Sequence, residues 1–300
     1  MTVTETPAPT AAAPTRTSRL PLVAAAVTVL LWSSAFVGVR SAGHDLSAGS
    51  LALARLAVGS IVLGIVMLVR REPLPPARHL PGLLVCGLLW FGAYNVSLNA
   101  AERRVDAGTA AMLVNLGPVL IALLAGVVLR EGFPRSLLTG AGVAFAGTVV
   151  IGLATARGGA SATGVALCII TAMAYAGGVI AQKPLLRTLS PLQVTWAACT
   201  IGVVATLPWA GSLAHDARHA SGDALAWAVY LGAFPTAVAF TTWAYALART
   251  TAGKMGATTY LVPPLVVLLG WLVLRETPPG VALLGGVLCL TGVAITRRNR

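Results

Sequence analysis

The sequence predicts an all-α membrane protein of ten transmembrane helices, arranged as two inverted five-helix repeats, and three observations carry that expectation. Of the 300 residues 57% are hydrophobic and 10% charged, with mean hydropathy +0.83, whereas soluble domains carry roughly 25% charged residues. There is too little charge to coat a surface that faces water. Apolar stretches of bilayer-spanning length recur almost to the end of the chain, and the second half of the chain repeats the first.

Crossing about 30 Å of hydrocarbon takes roughly 20 residues of helix. Segments of that size fall between charged or Pro/Gly-rich breaks at 20–39, 49–69, 80–100, 107–129, 136–155, 162–182, 191–210, 224–246, 252–274 and 278–296. Backbone N–H and C=O groups cannot stay unpaired in lipid, so each segment is a helix unless the whole is a barrel. The uninterrupted run Val119 to Leu129 lacks the alternation of a barrel strand. Residues 1–19, rich in Ala, Pro and Thr, have no apolar periodicity and are expected to form a disordered cytoplasmic tail. The first apolar segment reads as an uncleaved helix, not a signal peptide, because so many others follow it. Loops are short, the longest around His215 to Gly222, which leaves no room for a soluble catalytic domain.

The net charge of +12 suggests nucleic acid only until the basic residues are placed. With a cytoplasmic N-terminus, 14 of the 21 Lys and Arg fall on the cytoplasmic side, among them Arg70, Arg71, Arg130, Arg135, Lys183 and Arg187. Six fall on the other side and Arg55 lies inside a segment. That bias predicts a multi-pass protein of the cytoplasmic membrane with both termini cytoplasmic, and no nucleic-acid partner.

The repeat is a matter of register. Gly108 to Ile151 aligns with Gly253 to Thr296 at a constant offset of 145, which matches Pro118 with Pro263, Leu-Arg-Glu at 129–131 with 274–276, Gly140 with Gly285 and Gly147 with Gly292. A weaker match sets Trp32 to Arg40 beside Tyr175 to Lys183 at an offset of 143. The unit is therefore about five helices, 20–155 and 162–296. Five being odd, the second copy enters the membrane from the opposite side. Inverted halves of this kind suit alternating access to a site between them.

A helix with a central Pro and an end in Leu-Arg-Glu, followed by a helix with matched glycines, occurs twice five helices apart. This pattern resembles the drug/metabolite transporter superfamily and, within it, the EamA-type permeases. The resemblance implies an inner-membrane secondary carrier, an exporter of amino acids or similar small metabolites, whose cavity is lined by helices 1, 3, 4, 6, 8 and 9. The same fold carrying drugs or nucleotide-sugar-like metabolites stays open as an alternative, as does a channel or sensory protein.

Candidate cavity residues are the uncharged polar and aromatic groups on those helices: Trp32 and Ser33, the i,i+4 pair Asn95 and Asn99, Asn115, Tyr175, Gln182, Trp243, Tyr245 and Tyr260. A few placed amides and hydroxyls among aromatics suit a small zwitterion with an apolar side chain, although Asn, Ser and Thr also serve as glue between membrane helices. Arg55 either faces a wet cavity and attracts a carboxylate or snorkels its head back to the interface. Pro118 and Pro263 are hinge candidates, since proline inside a helix removes a backbone bond.

Other functions find little support. All nine acids, Glu102 among them, lie in the tail, loops or helix ends, so no buried carboxylate relay is expected. No paired carboxylates, Ser-His pair or His cluster lies at depth for an enzyme, and no phosphate-binding Gly-rich loop is present. Cys86, Cys168, Cys199 and Cys289 read as inert core thiols, and His215 with His219 as part of a solvated loop, not a metal site. Neither cofactor nor metal is expected, and the partners are a small-molecule substrate and the lipid bilayer, with no obligate protein partner evident.

Overall fold

The computed structural model describes residues 19–105, 110, 113–155, 161–274 and 280–298, and the regular structure among them is helical. The expected tail, the first part of the segment 107–129 and the second Glu of the repeated motif, Glu276, lie outside the described residues. The helices are α1 (Leu20–Ala42), α2 (Ala48–Arg70), α3 (Ala77–Glu102), α4 (Leu116–Val127), α5 (Arg135–Thr155), α6 (Ala162–Leu185), α7 (Pro191–His219) and α8 (Gly222–Ala248). They are followed by α9 (Ala252–Thr258, a tight turn Thr259–Leu261, then Val262–Leu274) and α10 (Gly280–Thr296).

Eight of these are long and apolar enough to cross a membrane, whereas α4 and α10 are shorter, at 12 and 17 residues. At 1.5 Å per residue α4 reaches about 18 Å of the roughly 30 Å needed. Ten apolar runs in the sequence thus become eight full-length candidate spans among the described residues. An apolar run does not reveal where helical geometry breaks. A turn at Asn115 separates the helical Leu113 and Val114 from Leu116–Val127, and Pro118 lies in the first turn after that break. The expected loop around His215 to Gly222 also differs, because Ala210–His219 continues α7 as helix.

Local chemistry sets the helix starts. Ser47, Ser161, Ser190, Ser221 and Thr251 each sit in extended backbone and accept the N–H three residues on, which satisfies a donor that the helix itself leaves open. Ser190 and Gln193 complete a reciprocal capping box. The first Leu-Arg-Glu acquires a physical meaning. Arg130 at φ 56° and Gly132 at φ 73° turn the chain, and the Glu131 carboxylate accepts Ala252 N and Gly253 N at 2.9 and 3.3 Å, an anion at the positive end of α9.

The sequence repeat is also a repeat of backbone irregularities. A seven-residue widened π-helical stretch interrupts α3 at Gly87–Ala93 and α8 at Gly232–Val238, positions related by the same offset of 145. The turn at Asn115 is matched by Thr259–Leu261. Contacts exchange in the same way. An atom added at the Cα of Gly140 would strike Gly292 O and Thr296 N at 2.6 Å, and one at Gly285 would strike Gly147 O and Ile151 N at 2.7 and 3.0 Å. These are the same contacts with the two helices swapped, so α5 and α10 run antiparallel at backbone contact along their lengths. Where α2 meets α8 and α7 meets α3 the same exchange occurs at the offset of 143: Gly232 is pressed on Arg55 O and Val58, and Gly87 on Ala198 O and Ile201.

Short joints define two faces of the bundle. On the first, Ser190 Oγ donates to Glu72 and Gln193 Nε2 to Pro73 O. α1 begins there, since it runs antiparallel beside α8 with Thr28 at Ala239 and Trp32 at Pro235. α10 ends there, with Arg297 donating to Thr258 Oγ1. On the second face Asp216 accepts Ser47 N and Asp45 accepts both N and Oγ of Ser221; those two Ser221 donors hold the Asp45 carboxyl below its usual range.

Gly147→Val drives a side chain into Gly285 O and Cys289 N, each within 2.7 Å. Overpacking of a close contact predicts a loss of at least about 1–3 kcal/mol, seen as a lower Tm in detergent. Gly142→Ala, on the same helix but facing open space, is expected to leave Tm unchanged or raised.

Candidate functional site

The site begins with a proline. Pro235 has no N–H with which to reach the Leu231 carbonyl, and Thr236 Oγ1 donates to that carbonyl at 2.8 Å instead. The same hydroxyl oxygen accepts Arg55 Nε at 3.3 Å. Gly59 and Gly232 let α2 and α8 approach closely enough for this to happen, since an added Cβ on Gly59 would lie 2.8 Å from Thr236 Cγ2. The break in α8 therefore orients an arginine of α2 at depth. Arg55 is 5% exposed, and its other nitrogens make no hydrogen bond among the described residues; the side chain lines a cavity instead of snorkelling.

The space between that cavity's walls, counted with the part open to the outside, is about 700 Å³. Trp32, Phe36 and Val39 come from α1, Arg55 from α2, Trp90, Tyr94, Leu98 and Glu102 from α3, and Asn115 and Pro118 from the start of α4. Tyr175 from α6, Phe240 from α8, and Thr259 and Val262 from α9 complete it. The wall thus draws on helices 1, 3, 4, 6, 8 and 9, with α2 adding a cation. The residues cluster toward the second face, away from the chain ends, because they lie late in α1 and α3 and early in α2 and α4. At mid-bundle an aromatic floor closes the cavity. Trp32 packs on Trp243 with ring centres 5.0 Å apart, Trp90 on Phe240 at 5.0 Å and on Tyr175 at 5.6 Å, and edge-to-face or offset contacts of this kind add to burial.

Of the residues singled out in the sequence, Trp32, Arg55, Asn115, Tyr175 and Pro118 come together in this wall. The others are elsewhere. Asn95 Nδ2 donates to Phe91 O at 2.8 Å inside the widened stretch, and Asn99 Nδ2 to Ala48 O at 3.1 Å, tying α3 to the start of α2. Ser33 turns back onto Val29 O. Gln182 is fully buried, its amide without a protein partner among the described residues. Trp243 is part of the aromatic floor without lining the cavity, Tyr245 stacks under the Arg249 guanidinium at 3.6 Å, and Tyr260 packs in the cluster between α5 and α10. Pro263 sits in the first turn after Thr259–Leu261, the position equivalent to Pro118 after the turn at Asn115, so each hinge candidate stands just past a break in helical geometry.

Glu102, Tyr94 and Phe240 are cavity residues that pattern reading passed over. The signal existed: Trp90, Tyr94, Leu98 and Glu102 are spaced four apart and all line the cavity, one stripe beside the Asn95–Asn99 stripe. Glu102 stands at a helix end, as its sequence position implies, and the cavity reaches that far. The four cysteines are free and buried. No group of three metal-ligating side chains occurs among the described residues; His215 and His219 stack on one another in α7.

The model of the EamA-like transporter family matches the chain twice, over 19–153 and 162–298. The chain belongs to the EamA-like transporter family. A probable terminal-alkyne amino-acid exporter of Streptantibioticus cattleyicolor is 38% identical over 278 residues, covering 91% of this chain and 92% of that protein. An uncharacterized transporter of Bacillus subtilis, YdfC, is 27% identical over 89% of this chain and 87% of its own. A solved crystal structure superposes with a TM-score of 0.76 at 22% identity, over 92% of this chain and 96% of that one, and so shares the fold. This EamA-like chain is accordingly a multi-pass membrane transporter, of a family and with relatives named for transport and not for catalysis.

Thr236→Val removes both the donor to Leu231 O and the acceptor of Arg55 Nε. Unsatisfied buried partners predict a loss of about 1–3 kcal/mol, read as a lower Tm in detergent. Thr236→Ser, which keeps the hydroxyl, is expected to retain most of the stability.

Proposed function

We propose that this protein exports amino acids or similar small metabolites across the cytoplasmic membrane by alternating access, through ten spans built as two inverted five-helix halves with both termini in the cytoplasm. The observation that carries the reading is a one-sided cavity between halves whose contacts exchange under the repeat. A site shared by two such halves can be opened to either side by exchanging which end of the bundle is closed. The likeness to a probable terminal-alkyne amino-acid exporter supports a small amino acid as cargo. So does the wall, in which aromatic and aliphatic groups surround a few polar ones. Phosphate-bearing cargo would call for several cations, and among the described residues the wall's cation is Arg55.

The conformation fits one stage of such a cycle. The first face is bolted: Lys183 Nζ donates to the carbonyls of Leu247 and Thr250, and Glu131 holds the start of α9. With the termini cytoplasmic, the cavity then belongs to the outward-facing state, from which cargo leaves the cell.

In liposomes preloaded with unlabelled L-norvaline, the reconstituted protein is expected to accumulate labelled L-propargylglycine, a terminal-alkyne amino acid, by saturable counterflow. Absence of exchange across a panel of apolar amino acids, with folded protein, overturns the reading. In whole cells Phe36→Cys is expected to react with an impermeant maleimide supplied from outside, while the buried native cysteines stay unlabelled.

A further inference from the structure

Two opposite charges face the cavity and do not meet. Among the described residues the Arg55 guanidinium spends only Nε, on Thr236, and its remaining N–H groups have no protein acceptor. The Glu102 carboxylate, half-buried at the end of α3, has no hydrogen-bond or ion-pair partner among the described residues, although it feels the charges of Arg40 and Arg55. Tyr94, one stripe position deeper on α3, stands in the same wall and interacts electrostatically with both. Neither charge is sealed off, since no atom of either belongs to the buried groups without a partner. A bare guanidinium and a bare carboxylate on one low-dielectric wall are costly unless hydrated or matched.

We propose that Arg55 and Glu102 form a clamp for a zwitterion: the guanidinium takes the α-carboxylate of an amino acid and the Glu102 carboxylate takes its α-ammonium. This rests on the carrier reading of the same cavity and assigns its recognition chemistry. Depth fixes the orientation. Arg55 lies seven residues into α2 from the second face, roughly 10 Å of rise, whereas Glu102 ends α3 at that face. The carboxylate therefore points inward and the ammonium toward the opening. The side chain is left against Trp32, Trp90 and Phe240, which favours apolar over charged side chains. Charge-assisted bonds at both ends satisfy what the empty wall leaves open. Symmetry does not supply this clamp, because the residue equivalent to Arg55 in the second half is Ala198.

Three probes of one carbon skeleton separate the two ends: L-norvaline carries both charges, its methyl ester only the ammonium, and pentanoate only the carboxylate. Binding to detergent-purified protein, by calorimetry or thermal shift, is expected to favour norvaline over either analogue by about ten- to a hundredfold, since a hydrogen bond to a charged group contributes about 1.5–3 kcal/mol. Glu102→Gln is expected to lose that factor for norvaline and the ester while pentanoate is unaffected. Arg55→Gln is expected to do the converse. The clamp is overturned if wild-type protein binds the ester or pentanoate as tightly as norvaline, a result that needs no variant, or if Glu102→Gln binds norvaline like wild type. Should Arg55→Gln fail to fold, Arg55→Lys serves, with a weakened but retained preference for carboxylates. If wild-type protein shows norvaline counterflow but lacks these preferences, the clamp fails and the carrier reading stands; if it shows no counterflow for any apolar amino acid, the carrier reading itself fails.

Discussion

Hydrocarbon offers no hydrogen-bonding partner, and the rest of the structure follows from how this chain meets that constraint where its helices are irregular. Backbone groups released by a break must find partners within the bundle. In α3 the widened stretch sends its carbonyls to Asn95, and in α8 the proline break sends the Leu231 carbonyl to Thr236. Asn95 and Thr236 are spent on these repairs. One of them has a consequence beyond repair, because the Thr236 oxygen that replaces a backbone donor also orients Arg55.

Glycine does the complementary task. Without a hydrophobic drive between helices in lipid, association depends on close packing. Gly140, Gly147, Gly285 and Gly292 bring the backbones of α5 and α10 into contact, forming a scaffold at one flank. Gly59, Gly87 and Gly232 do the same where α2 and α7 cross the widened stretches of α8 and α3. Helices so placed leave the centre to larger side chains, and the aromatic floor fills it. The cavity above is what remains between a floor of rings and a second face held by Asp45 and Asp216.

The two halves are equal in backbone and unequal in chemistry. Trp32 and Tyr175 occupy equivalent places at the offset of 143 and both line the wall. Arg55 and Ala198 are equivalent and only one carries charge. A carrier of this design can share its mechanics between the halves while reading its cargo mainly with one of them.

Composition, segment length and the 145-residue register determined by themselves the helical membrane class, the family and its two copies along the chain, since these depend only on what lipid excludes and on sequence matching sequence. Trp32, Arg55, Asn115 and Tyr175 were legible as wall residues because an isolated polar or aromatic group on a membrane helix has few other uses. Asn95 and Asn99 carry the same signal and lie outside the wall, since a polar side chain that repairs a neighbour's backbone looks the same in sequence as one that faces a solute. Only the tertiary structure decided between those roles. It alone placed Glu102, a residue at a helix end, on the same cavity as Arg55, because the depth to which water enters a bundle is set by how several helices splay, and no single segment records that.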